Sequence, residues 1–409
     1  MKRQSERRTF LKSKPVVQND RIISLDILRG FALFGILIVN MPAFHSPTIL
    51  QDYYMIQYAY EGVDKYLRLF FDLFVQGKFY PIFSFLFGLG FYLLMERAAS
   101  KGENVYLLFS RRMLAMLGFG LFHLVFLWSG DILHIYAIGG LLLFLFYRRR
   151  PITVLIWSFL FLAALYGLFA MEVFWPTSFY QQYVQTRQLI GAEKIDLALI
   201  AYQSGSIQQW FAYRLADEVP LILGNLISQV LAIFPLFLLG LYAGKKKLFQ
   251  KIDEQINPFK WVLWGSGLVS LPLIIVLLSI QLEWITIGAG KNVSRVFFVN
   301  VSGITMSLFY ISSIAILSSK KKILNRLLPL GYVGQMALSN YLGQTILTLL
   351  LVFTFNLYNQ LSLAEGLLLT VCIFYVQIHF SYLWLKSYSY GPMEWLWRIL
   401  TYGKVPMKR

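Results

Sequence analysis

Charge is scarce in this chain: Asp, Glu, Lys and Arg make up 14% of its 409 residues, against ~25% in an ordinary soluble domain. So few charged side chains cannot cover a surface that meets water on every side, which excludes a soluble globular class. Cysteine occurs once, as Cys372 within an apolar run, and this excludes an intramolecular disulfide and a cysteine-rich metal site. Only His45, His123, His134 and His379 are available for imidazole chemistry. No Gly-x-Gly-x-x-Gly fingerprint, phosphate loop, heptad array or internal repeat occurs, so neither a Rossmann domain nor a nucleotide-driven motor is supported.

What the chain has is apolar length. Hydrophobic residues reach 57%, with a mean hydropathy of +0.60. Against the ~20 residues needed to cross a bilayer, apolar spans fall at 22–44, 79–95, 113–128, 132–147, 152–170, 220–243, 261–281, 296–318, 330–355 and 364–385. The expected fold is all-α, a polytopic transmembrane bundle of about ten spans, with 65–76 lying near the interface.

The net charge of +17 would point to nucleic acid in a soluble protein, but its distribution is topological. With the N-terminal side in the cytoplasm, 28 of the 37 Lys and Arg lie in inside segments and eight outside, while twelve of the twenty acids fall outside. The positive-inside rule therefore places both termini in the cytoplasm. The excess base needs no nucleic-acid partner and suits anionic lipid headgroups. A membrane crossed many times is the expected location.

One membrane domain, 21–401, accounts for most of the chain. It is flanked by a basic tail at 1–20, which has no cleavable apolar core, and a short tail at 402–409. The long outer segment 171–219 mixes apolar and polar positions as an interfacial or short folded helix does and is expected to cap the outer face. The segment 389–401, with Trp395, Trp397 and Arg398, suits an interfacial cytoplasmic helix.

The first span, RIISLDILRGFALFGILIVNMPAF, carries Asp26, Arg29 and Asn40. Ionisable groups in lipid are costly and mark functional sites. Asp26 and Arg29, three apart, can neutralise each other, either as a binding site or as an anchor at the headgroups. Asn40 follows Arg29 by eleven residues, about 16 Å along a helix, so it stands at the outer end. His123 lies equally far beyond Arg112, which puts it past the midplane, either hydrogen-bonded between helices or handling a proton. Asp131 and His134 follow in the turn WSGDILH, where Asp131 is an N-cap or the partner of a histidine. Lys78, His45 and Asn40 reach the same level. Gly331, Gly334, Ser339, Asn340 and Gly343 give the ninth span a face for close packing, and Asn340 is also a candidate cavity residue.

These segments resemble a family. LDILRGFALFGILIVN, KFYPIFSFLFGLG, GLFHLVFLWSGDILHIYAIGG, GQMALSNYLGQ and GPMEWLWRILT look like the ordered signatures of the YeiB family of bacterial membrane proteins, a domain of unknown function, over 21–401. More distantly, the Asp-x-x-Arg-Gly opening with Asn eleven residues after the Arg resembles the transmembrane acyltransferase superfamily, which includes heparan-alpha-glucosaminide N-acetyltransferase. That resemblance implies acyl transfer from cytoplasmic acyl-CoA to an acceptor across the membrane, with Asn40 at the transfer centre. At the spacing of that superfamily's histidine this chain has Gln51 and not His45.

Two function classes follow. In acyl transfer, Arg29, Arg111 and Arg112 would bind donor phosphates, His123 with Asp131 would act as base, and Asn40 with Lys78 would stabilise the oxyanion. Acyl-CoA is then a co-substrate, no cofactor is permanently bound, no metal is used, and the acceptor is an envelope glycan or lipid. In the alternative, a transporter or lipid-handling protein uses the same polar groups without bond formation, although no inverted repeat supports it. The topology is testable on a Cys372→Ser background: Ser204→Cys should react with a membrane-impermeant maleimide in intact cells, and Lys101→Cys only after lysis. The opposite labelling would overturn the orientation.

Overall fold

A computed structural model describes residues 22–56, 58–250, 252, 254, 256–403 and 405–407; the tail 1–20, Arg21 and Lys404 lie outside the described residues. The chain begins with α1 (Ile23–His45), α2 (Thr48–Tyr53), α3 (Gly62–Phe74), α4 (Phe79–Ser100) and α5 (Val105–Phe122). A π-helical turn, His123–Leu127, ends α5 and leads into α6 (Leu133–Leu142) and α7 (Phe144–Tyr147). Then come α8 (Pro151–Val173), α9 (Thr177–Gln203), α10 (Ile207–Tyr213), a second π-helical turn at Arg214–Glu218, α11 (Val219–Gly224) and α12 (Leu226–Lys245). The remainder is α13 (Ile256–Gln281), α14 (Lys291–Ser318), α15 (Lys321–Gln335), α16 (Ala337–Thr354), α17 (Leu363–Ser387) and α18 (Pro392–Tyr402). The fold is an all-α polytopic bundle, with no strand among the described residues.

Among the described residues, nine helical stretches are long and apolar enough to cross a membrane. The expected span at 132–147 is shorter, Leu133–Leu142, and continues through α7. It nevertheless returns the chain along α5. His134 touches Asp131 beside His123, while Phe144 and Tyr147 pack edge-on against Tyr106 at the start of α5. The fifteen residues from Leu133 to Tyr147 rise about 22 Å as helix, so the pair α6–α7 traverses most of the bilayer core. The expected single span at 330–355 is instead broken at Met336 (φ −112°, ψ 38°). There the Glu394 carboxylate accepts from the Leu338 and Ser339 amides at 2.6 and 3.0 Å. An anion capping the exposed amides of α16 stabilises a new helix start over a continued helix.

Helix α1 is the centre of the bundle, packed against α4, α14, α15, α16 and α17. Between lipid-solvated helices there is no hydrophobic driving force, so association depends on close van der Waals approach and on polar bonds between helices. The small residues supply the approach. A Cβ on Gly334 would stand 1.8 Å from the Asp26 carbonyl of α1, and Cβ atoms on Gly88 and Gly240 would meet the Phe237 and Phe85 carbonyls at 1.9 Å across α4 and α12.

The basic loops gather at one end. Lys247 pairs with Glu96, the Lys245 ammonium donates to the Tyr147 carbonyl, and the Trp397 indole donates to the Arg112 carbonyl. The start of α1 and helix α18 share this end, through Gly334 and Glu394. At the other end basic residues pair with acids: Arg68 and Arg295 with Asp72, Lys194 with Asp217, Arg214 with Glu218, and Lys291 with Glu283. There α9 lies over the loops, its Arg187, Gln188 and Gln203 donating to the carbonyls of Tyr53, Met55 and Tyr358. Gly88→Leu, which drives a side chain into the α12 backbone, should destabilise the bundle by at least the 1–3 kcal/mol typical of overpacking. Thermal unfolding in detergent reads this, and Gly90→Leu, whose Cβ meets nothing within 4 Å, is the control.

Candidate functional site

The end of the bundle away from the basic loops holds a buried relay of three titratable side chains. Helix α5 ends in the π-helical turn and delivers His123; the following loop delivers Asp131, and the first turn of α6 delivers His134. His123 Nδ1 lies 2.9 Å from Asp131 Oδ1, and His134 Nδ1 lies 2.7 Å from Asp131 Oδ2. The same Oδ2 accepts from the His134 amide at 2.9 Å, so Asp131 also caps α6. One carboxylate thus bridges two imidazoles, and exposures of 0% for His123, 3% for Asp131 and 0% for His134 leave the group shut off from solvent.

The remaining ring nitrogens differ. His123 Nε2 meets the Thr345 hydroxyl at 2.9 Å, and the Tyr341 ring, one turn earlier on α16, packs 5.2 Å from the imidazole. His134 Nε2 is buried with no hydrogen-bond partner. An ionised carboxylate accepts only, so both Nδ1 atoms carry a proton, and in the neutral form of each imidazole Nε2 presents a lone pair. His134 is therefore an imidazole oriented from behind by a carboxylate with a free basic nitrogen in front, the arrangement found in general-base dyads. Burial would raise the Asp131 pKa, but hydrogen bonds from the His123 and His134 side chains and the His134 amide hold it below the ordinary 3.8.

The other sequence candidates separate into distinct places. Asp26 and Arg29 form an ion pair at 2.7 Å at the basic end. Arg112 joins them in the same field, where Arg29, Arg398 and Glu394 all act on it, and its guanidinium lies 3.5 Å from the Trp397 ring centroid. Arg111 is exposed. Asn40, one turn before the Phe44 that packs on Trp128, is half-buried and contributes none of the hydrogen bonds to the relay. Lys78 stands elsewhere: fully buried, it donates to the Asp72 carbonyl at 2.7 Å and the Val299 carbonyl at 3.5 Å, beside the Arg68–Asp72–Arg295 cluster. Asn340 donates to the Val333 carbonyl and the Ser381 hydroxyl and thereby ties α15, α16 and α17 together. His45 is buried with both ring nitrogens unpaired, and His379 is exposed.

Thr345 and Tyr341 were not sequence candidates. Their signal was a spacing of four within a stretch that also holds Asn340 and Gln344, which marks one polar helix face. No group of three or more metal-ligating side chains exists among the described residues. A cavity of about 180 Å³ opens among α4, α8, α12 and α14, lined by Tyr80, Tyr166, Phe169 and Glu172 among others, and touches none of the relay.

Residues 243–404 match the family described as a protein of unknown function (DUF418). Over 413 residues the chain is 33% identical to the uncharacterized protein YxaH of Bacillus subtilis, covering 95% of this chain and 96% of the relative. It is 32% identical over 400 residues to an uncharacterized 39.9 kDa protein encoded in the amylase 3' region of Bacillus acidopullulyticus, with 95% and 96% covered. It is also 26% identical over 394 residues to the uncharacterized protein YeiB of Escherichia coli, with 93% and 96% covered.

Because the Asp131 pKa is depressed, its carboxylate stabilises the fold fully above 3.8, and this contribution is lost as the pH falls through the lower folded value. Asp131→Asn should remove that acid-sensitive component and lower stability at neutral pH by about 3 kcal/mol. An unchanged melting curve at pH 7 would show that the bridge contributes nothing.

Proposed function

The chain belongs to the YeiB family, and residues 243–404 carry its DUF418 match; from that premise we propose that it is a membrane-embedded acyltransferase of the bacterial plasma membrane. The observation that carries the reading is the His123–Asp131–His134 relay with an unpartnered His134 Nε2. In this reading Arg29 and Arg112 at the basic end hold the phosphates of a cytoplasmic acyl-CoA, since guanidinium forks match phosphate oxygens. About three helical turns, ~16 Å, separate the level of Arg112 from that of His123 on the same helix, so the acyl arm runs lengthwise through the bundle. His134 Nε2 takes the proton from an acceptor hydroxyl or amine. The acceptor atom bonds to the acyl carbon, the carbon–sulfur bond breaks, and the proton passes from the imidazolium to the leaving thiolate. Asp131 keeps the imidazole in its tautomer and stabilises the cation that forms. Asn40, at the outer end of α1, steadies the oxyanion in this reading.

Complete burial of the relay favours one second reading, a proton-coupled carrier in which the same groups bind a proton and no bond is made. The two separate in reconstituted protein supplied with radiolabelled acetyl-CoA and envelope lipid and glycan extract. Label should reach the extract, and His134→Ala should lower transfer by about 10²–10⁴-fold, the usual contribution of a positioned base. Full transfer by His134→Ala would overturn the role of that residue. Absence of transfer by the wild type, together with solute uptake driven by a pH gradient, would establish the carrier instead.

A further inference from the structure

Immediately beyond the relay, a fully buried arginine from the outer segment grips the turn that ends α5. The π-helical turn His123–Leu127 closes through the Trp128 amide, which donates to the His123 carbonyl at 2.8 Å. As at any helix C-terminus, the carbonyls that follow lack amide partners, and Leu124 is fully buried, where little water can take their place. Arg214 replaces it. Its Nη2 donates to the Leu124 carbonyl and its Nε to the Val125 carbonyl at 3.4 Å. A cation at this position also faces the negative end of the helix dipole.

The same guanidinium is anchored on its other edge. Nη1 donates to Glu218 Oε2 and to the Tyr202 hydroxyl, both at 3.1 Å, and Tyr202 in turn donates to the Glu218 carboxylate at 2.9 and 3.0 Å. The Trp210 ring lies 5.0 Å away. Arg214 and Glu218 are themselves the two ends of the second π-helical turn. Two such turns, a form that is rare and concentrated at functional sites, are thus joined by one side chain at 0% exposure. After the first turn, Trp128 is fixed by its indole donating to the Ala43 carbonyl at 3.3 Å, and three residues later stands Asp131.

We infer that Arg214 is a positioning residue of the relay: the outer segment, through this guanidinium, sets where His123 and the Asp131 loop stand. The inference rests on the acyl-transfer reading for its functional consequence, but the positioning itself is measurable without it. A lysine cannot serve, because a single ammonium lacks the planar fork that reaches two carbonyls on one edge and a carboxylate on the other.

The test uses full-length protein in nanodiscs. Arg214→Met combined with Glu218→Gln removes both charges together, so no buried ion is left uncompensated; Arg214→Lys, which keeps the charge opposite Glu218, is the second variant. Hydrogen exchange of the amides from Trp128 to His134 should rise at least tenfold in the double variant and less in Arg214→Lys, with exchange in α8 and α13 unchanged. The ¹⁵N spectrum of histidine-labelled protein should lose the single Nδ1–H tautomer of His123 and His134. Transfer of the acetyl label should fall at least tenfold in turnover with KM for acetyl-CoA unmoved. Wild-type exchange and histidine spectra in whichever variant folds would overturn the inference. If the wild type transfers no label, the acyltransferase reading fails alone, and exchange with the spectrum still decides the role of Arg214.

Discussion

Inside a packed bundle a buried polar group has no water to turn to, and this structure is organised by the partners its buried polar groups find in one another. The Asp131 carboxylate is the clearest case: three donors converge on it, and in meeting them it fixes the end of α5, the start of α6 and the orientation of two imidazoles. The same demand explains Glu394 capping the broken α16, Asn340 joining three helices, and Arg214 closing the π-helical turn. Each of these groups acts as an interhelical tie because the alternative is an unpaired dipole or charge in a medium of low dielectric.

That constraint separates structural polarity from chemical polarity. Lys78, Asn340 and the Asp72 cluster have their hydrogen bonds completed by other parts of the bundle, and their side chains hold α3, α13, α14, α16 and α17 in register. His134 keeps one buried nitrogen free, and at the basic end Arg112 offers a cation over Trp397. The proposed chemistry is built from these two places, Arg112 in the first half of α5 and His134 beyond its last turn, so the longitudinal arrangement of donor and acceptor follows from a single helix.

The bundle was legible because bilayer thickness imposes a length that composition reveals directly: every apolar stretch expected to cross appears as helix. The departures came where tertiary partners outweighed apolar continuity. The stretch at 330–355 looked continuous, but Glu394, some sixty residues later, supplies the cap that splits it. Lys78 and Asn40 looked like neighbours of His123 because their depths along separate helices are similar. Depth is readable from sequence; rotation about the helix axis relative to a partner is not, and rotation sends Lys78 towards Asp72 and Val299.

By itself the sequence determined the all-α membrane class, the basic end and the Asp26–Arg29 pair, since each depends on span length, charge counts or a separation of three residues within one helix. Within the relay, the local spacing of Asp131 and His134 was equally readable. The bridge to His123, the Thr345 contact and the grip of Arg214 were decided only by the tertiary structure. Those contacts span eight, 222 and 90 residues of chain, and a separation of that kind becomes a hydrogen bond only after helix packing has fixed which faces meet.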